Sequence, residues 1–530
     1  MANSQSDVQQ RQRARPGSRD FRHRLKRFLR LAAALPVFLP CSAWAAKWEI
    51  VPTLAAEERY TDNLSLAPDD SKQSDWITQV TPGIAIAATG ARLRFNAAYA
   101  PEFLYYARGH YDNQVYQRGS ALGNAELAKE LLFVDFGAKV NQYNASLQEP
   151  QSTSNANATG NRATVGTYFA SPYLRRDFGS NVRGEARFTG SVVDSDDQSL
   201  LANSVADRID LRLNSGPAYK LLTWNFDYFR ENIDYESGQS DISTEVATAN
   251  AKRLITPTVG LLAQAGYDRY ELGSAEASLE GSSWSVGMDW IPSPRTRFAA
   301  TAGRRFYGDD YTFDISHRTR RTTSGVAYRQ YVSTTRSEFF VLDPASTAGY
   351  LNTLFSSQFP DPVAREEAVR DFIARTALPS GLNSSANFFT SELFLAKRWQ
   401  ASAGTLGVRN VLIAYVYKET REVLSAGATG SSGAGDFAAG NSVDQTGASF
   451  QWNWRVTGLD TWNLGAGYSR NDFPGTSRID KLRYVAMGIS RQFEPRLIGS
   501  LNYRRNQSDS NVSEGNYTEN AVYATIQKRF

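Results

Sequence analysis

The feature that most constrains this 530-residue chain is the order of its connections. From Trp48 onward, strand-length segments are joined alternately by polar loops, mostly long, and by tight turns. Segments 48–60, 76–89, 92–106, 114–128 and 131–143 read as the first five strands. Polar loops are read at 61–75, 110–113, 144–161, 194–204, 231–241, 272–281, 308–310, 335–387, 419–445, 471–477 and 507–515. Tight turns fall between them at 90–91, 129–130, 177–181, 216–217, 252–253, 292–295, 319–322, 402–404, 458–460 and 494–496. This makes about 22 strands, with eleven loops alternating with ten turns, and closed bacterial barrels share that even number and loop asymmetry. A soluble sandwich or propeller has no reason to keep its long loops at one end. A soluble repeat protein or a multi-domain secreted all-β adhesin is the alternative.

The segments carry two different faces. In the last strand Val522, Ala524, Ile526 and Phe530 alternate with Tyr523, Thr525, Gln527 and Arg529. Phe450, Trp452 and Trp454 alternate with Gln451, Asn453 and Arg455, and Trp462, Leu464, Ala466 and Tyr468 with Asn463, Gly465, Gly467 and Ser469. Period 2 defines a strand with two faces, and lipid outside with water inside requires this contrast. Lys528 departs from the apolar set, and its stem can snorkel to an interface. The strand-final Phe530 resembles the terminal signature of bacterial outer-membrane β-barrels.

Composition agrees with a barrel. Hydrophobic content is 41%, mean hydropathy is −0.44, and no mature stretch approaches the ~20 apolar residues of a membrane-spanning helix. The basic run 22–30, the apolar core 31–39 and the small residues around Ala45 and Ala46 read as a secretory leader, 1–46, that is removed. The lone Cys41 falls inside it, which leaves no thiol for a disulfide, metal cluster or haem attachment. The formal charge of +4 includes this leader, so a nucleic-acid surface is not indicated. The expected product is an all-β, transmembrane antiparallel β-barrel over 47–530 in the cell outer membrane, with long extracellular loops and short periplasmic turns. Its expected partners are outer-membrane lipid, lipopolysaccharide and the barrel-assembly machinery.

Several short motifs carry a family resemblance. Trp48-Glu-Ile-Val-Pro-Thr-Leu, Tyr60-Thr-Asp-Asn, Val80-Thr-Pro-Gly, Tyr99-Ala-Pro, Trp290-Ile-Pro-Ser-Pro-Arg-Thr-Arg-Phe, Arg304-Arg-Phe-Tyr-Gly and Ser316-His-Arg-Thr-Arg are among them. Together they resemble outer-membrane proteins associated with PEP-CTERM/exosortase and exopolysaccharide systems, over nearly the whole mature chain. The resemblance implies a barrel linked to polysaccharide and surface-protein export, with export components as partners. It supplies no functional residues.

The residues offer little catalytic chemistry. His110 and His317 are the mature histidines, and Ser316 and His317, adjacent on a strand, point to opposite faces. Asp69 with Asp70, and Asp194 with Asp196 and Asp197, are oxygen donors that suit calcium but lack its loop spacing, so solvated acidic loops are expected. No catalytic residue, metal ligand or cofactor is assigned. In the largest loop, Val369, Phe372 and Ile373 recur at helical spacing within 362–378, bounded by Pro360, Pro362, Pro379 and Gly381. This amphipathic helix is expected either as a constriction in the barrel mouth or as a cap on its rim. About 22 strands enclose a wide lumen. The first strand starts almost at the mature N-terminus, which leaves no room for a preceding plug domain. The lumen is therefore open, or closed by loops such as 335–387 and 419–445. A non-enzymatic channel or conduit supporting exopolysaccharide export leads, an anchoring barrel without transport follows, and an outer-membrane hydrolase comes third.

Overall fold

The computed structural model describes residues 46–196, 201–236, 241–273, 278–340, 351–352, 355, 365, 369, 389–390, 392–424, 436–437 and 441–530. They form one antiparallel sheet of 24 strand segments. The sheet closes on itself. The first strand, Lys47–Thr61, pairs with the last, Tyr517–Arg529, from Thr53 opposite Arg529 to Thr61 opposite Ala521. Closure leaves no edge, the condition for a sheet to sit in lipid.

Two staves of this barrel are broken. Leu93–Tyr99 and Glu102–Tyr106 both pair with Asp75–Thr89, and Gln114–Tyr116 and Gly119–Ala128 continue the next stave, so the segments make 22 staves. The single strand expected over 92–106 is thus interrupted at Ala100 and Pro101. Proline has no N–H for the ladder, and Ala100 N instead donates to Arg118 O at 2.9 Å.

Among the described residues, successive strand ends put the connections 62–74 and 144–162 at one end of the sheet and the turns 90–92, 294–295, 407–409 and 495–496 at the other. Four expected boundaries are corrected. The reversal placed at 308–310 occurs at Phe306 and Tyr307, and Gly308, with φ +115°, starts Gly308–Arg318. Only glycine adopts that φ without strain. Ser402, Ala403 and Gly404 lie within Phe394–Leu406, where small residues serve as wall, and the turn comes after Leu406. Lys252 and Arg253 lie within Ile242–Leu254. The expected loop 419–445 is narrower, because Asn410–Val423 and Ser442–Arg455 run into it from both sides.

The outer face is apolar. Ile50, Leu54, Leu211, Leu261, Val286, Met288, Ile489, Leu501, Val522 and Ile526 are exposed on it. Aromatic side chains border this belt. Near the turn end Trp290 stacks on Phe298 at 5.1 Å, and Trp454 meets Trp452 and Trp462 at 5.9 and 6.0 Å. Near the loop end Tyr60 lies 5.2 Å from Trp76, and Tyr328 lies 4.5 Å from Trp399. An apolar belt between two aromatic girdles is the outer surface of an outer-membrane-type barrel. The faces read in the last strand are those observed: Val522, Ala524, Ile526 and Phe530 are exposed outward, and Tyr523, Thr525 and Gln527 turn inward. Phe530 N donates to Pro52 O at 3.0 Å, and Lys528 Nζ lies 5.7 Å from the Phe530 ring centre.

Candidate functional site: a loop closure inside the lumen

The loop 144–162 is rich in Asn, Ser and Thr, residues that satisfy backbone groups locally. Asn161 braces its base: Oδ1 accepts from Ala145 N at 3.0 Å and Ser146 N at 2.8 Å, while Nδ2 donates to Ser146 O at 2.8 Å. Ser152 Oγ bonds Ser154 O at 2.6 Å and Asn157 Oδ1 at 2.9 Å. Self-bracing leaves few backbone groups needing water, so the loop can leave the solvent.

It does so by folding into the barrel. The loop joins Leu132–Tyr143 to Ala163–Phe178, yet Leu147 is buried with Phe394, Ala396, Val443 and Phe473 on the far wall and with Phe437. Farther along, Ala156 and Ala158 pack on Leu64, Ile77, Leu104 and Tyr106. Fully burying a Leu contributes roughly 1.5–3 kcal/mol, so Leu147 is a substantial anchor.

Hydrogen bonds tie the same loop to the closing seam. The fully buried Glu519 carboxylate accepts from Asn157 Nδ2 at 2.6 Å, Asn506 Nδ2 at 2.7 Å, Arg504 at 2.8 and 3.0 Å, and Thr61 Oγ1 at 3.1 Å. Arg59 donates to Ser154 Oγ at 2.9 Å, Tyr517 OH to Gln151 O at 3.0 Å, and Arg478 to Gln148 O. From a second loop, Asp436 accepts from Ser146 Oγ and Leu147 N, both at 2.6 Å. Burial pushes the Asp436 carboxyl above the usual carboxylate range, against the lowering effect of these donors.

A second strap starts at Thr335–Glu338, a helical turn capped by Thr334 Oγ1, which accepts from Ser337 N at 3.1 Å. Its Arg336 is 1% exposed and donates to Ser204 Oγ at 2.9 Å and Ser191 Oγ at 2.8 Å, with Glu231 at 3.9 Å. Burial pushes the guanidinium pKa down, with Glu231 opposing. Phe339 packs on Tyr143 at 5.0 Å and Phe389 at 5.9 Å, in a cluster with Ala145, Val165, Val193 and Leu201. Glu338 pairs with Arg421 at 3.1 Å, which pairs with Glu419 at 3.1 Å. Two straps therefore meet inside the lumen at its loop end.

The expected gate falls partly outside this picture. Val369 is helical and buried, and Arg365 Nε donates to Asn352 Oδ1 at 2.5 Å. Phe372 and Ile373 lie outside the described residues. Sequence reasoning missed the loop 144–162 as a closure. Its one available signal was a long polar loop dense in side chains that cap their own backbone. His317 faces the lipid side at the turn end, with Nδ1 2.8 Å from Thr296 Oγ1. Asp69 is ion-paired with Lys72 at 2.8 Å, and Asp196 accepts from Thr164 N at 2.7 Å. Asp197 lies outside the described residues, among which no three His, Cys, Asp or Glu side chains gather as metal ligands.

No protein-family model matches the chain, and no curated protein matches it in sequence. Among solved structures it is similar to the siderophore receptor PirA from Acinetobacter baumannii (10% identity, 91% of this chain and 80% of that chain covered, TM-score 0.45). It is also similar to the ferric-catecholate import receptor Fiu from E. coli K12 (9% identity, 90% and 81% covered, TM-score 0.48). Likeness of this degree carries no weight for ligand or mechanism, and the barrel stands on its own strand register.

Proposed function

We propose that the protein is a non-enzymatic outer-membrane conduit, held shut by its own loops, that supports export of an exopolysaccharide or surface polymer. The observation that carries the gated reading is the loop 144–162, which crosses the lumen from Leu132–Tyr143 to the cluster around Leu147 on the far wall. None of the strap contacts named above is a ladder bond between strands, so the straps can leave while the barrel stays closed. Export rests on the motif resemblance to exosortase-associated barrels. In that orientation the turns face the periplasm and the loops the exterior. The second reading is a barrel whose packed loops anchor polymer at the surface without transport, favoured by the apolar clusters that fill the loop end.

The test is conductance of the refolded mature barrel in planar bilayers. Wild type is expected to be closed or to open in brief events. A variant lacking 147–158 is expected to conduct steadily. A deletion variant that refolds but stays silent would sink the conduit and leave the anchoring role.

A further inference from the structure

The turn end of the barrel carries a sector of unpaired arginines. Arg295, Arg318, Arg320, Arg321, Arg409 and Arg455 lie in or beside the turns 294–295, 319–321, 407–409 and 456–459. Backbone bonds hold these turns against one another: Arg318 N to Arg295 O at 2.8 Å, Leu406 N to Arg321 O at 2.7 Å, and Arg455 N to Arg409 O at 2.7 Å. All six side chains are exposed, and among the described residues none pairs with a carboxylate. Nearby charges are treated differently. Arg297 is neutralised by Asp289 at 2.8 Å, which also holds Lys252, and Arg491 sits 3.4 Å from Asp460.

Register decides which way the sector looks. Trp454 belongs to the aromatic girdle, so its strand neighbour Arg455 turns to the lumen. Ile315 stands opposite the girdle residue Phe298, so His317 shares the lipid side and Arg318 the lumen side. The sector thus rims the mouth rather than the lipid. Strands lie about 4.8 Å apart, so like charges on neighbouring turns repel unless an anion joins them. Guanidinium groups bind carboxylates and phosphates bidentately, and a mouth lined by one sign of charge concentrates the opposite sign.

We infer that this mouth receives an acidic polysaccharide, a chain bearing carboxylate or phosphate groups. The inference rests on the conduit reading and names its cargo class. The probe is fluorescent oligogalacturonate, with neutral dextran of equal length as control, titrated onto the full mature barrel in neutral-lipid nanodiscs. Wild type is expected to bind oligogalacturonate and not dextran, with affinity falling as salt screens the charges. The variant R295E/R320E/R321E/R409E is expected to bind at least tenfold more weakly, while R505E, an exposed arginine near the loop end, is expected to bind as wild type does. Equal binding of both sugars by wild type, or unchanged binding by the fourfold variant, overturns the inference. So does a fourfold variant whose sole defect is weaker association with phosphatidylglycerol vesicles, which would assign the sector to lipid headgroups. Conductance of the 147–158 deletion, measured alongside, separates the two readings. A conducting barrel that ignores the sugar keeps the conduit and loses the acidic cargo, and a sugar-binding barrel that stays silent does the reverse.

Discussion

At the scale of single residues, the closure depends on charges placed where burial is costly. Glu519 is matched by Arg504, Asn506 and Thr61 on the wall and by Asn157 on the loop, so its carboxylate joins the loop to the wall. Removing one partner of a buried ion pair costs on the order of 3–5 kcal/mol, whereas replacing both by apolar groups is often neutral. Glu519→Ala is therefore expected to free the loop 144–162 and open it to proteolysis, while R504L/E519L restores much of the protection. Equal protection in wild type and Glu519→Ala would show that the carboxylate does not hold the loop. Arg336 makes a parallel case on the other strap. Arg336→Ala removes the bonds to Ser191 and Ser204 and the nearby charge facing Glu231, and is expected to raise channel open probability several-fold by releasing the helical turn. An unchanged open probability would assign the second strap to support alone.

At the scale of elements, what was legible differs sharply between wall and loops. The faces of 450–455, 462–469 and 522–530 could be read because lipid and water impose period 2 on neighbouring residues. The loop and turn ends could be read because strand length is set by membrane thickness. The closure could not. Asn157 and Glu519 are 362 positions apart, and Ser146 and Asp436 are 290 apart. No spacing rule links such residues, and a polar loop reads the same whether water or a lumen surrounds it. The pairing of two loops through Asp436 also has a pH signature. Burial raises this carboxyl above its unfolded value, so folding favours the protonated form. The contact is then strongest below the unfolded carboxylate pKa near ~4 and weakens as pH rises through the folded value. Open probability is expected to climb with pH over that window, and Asp436→Asn, fixed in a neutral form, is expected to flatten the response. The same slope in both proteins would place the sensor elsewhere.

At the scale of the whole molecule, everything depends on one seam. The ladder from Thr53 opposite Arg529 to Thr61 opposite Ala521 joins the two ends of the barrel chain, and each of its backbone groups would otherwise face lipid unpaired. The native Pro52 is tolerated because the last strand's register ends at Arg529, beside Thr53, and only the Pro52 carbonyl is used on that side, by Phe530 N. Ala524 has no such freedom. It lies inside the ladder, opposite Glu58 on one side and Leu501 on the other, and faces outward. Proline there removes an N–H from the middle of the sheet, whereas leucine keeps the ladder and adds apolar surface toward lipid. Ala524→Leu is expected to refold as well as wild type, giving the compact, heat-sensitive band of a closed barrel on a cold gel. Ala524→Pro is expected to lose that band. The 144–162 strap also bonds to Arg59, Tyr517 and Glu519 on the two closing strands, so an Ala524→Pro protein that still gave the compact band would mean the loops, and not strand closure, hold the molecule together.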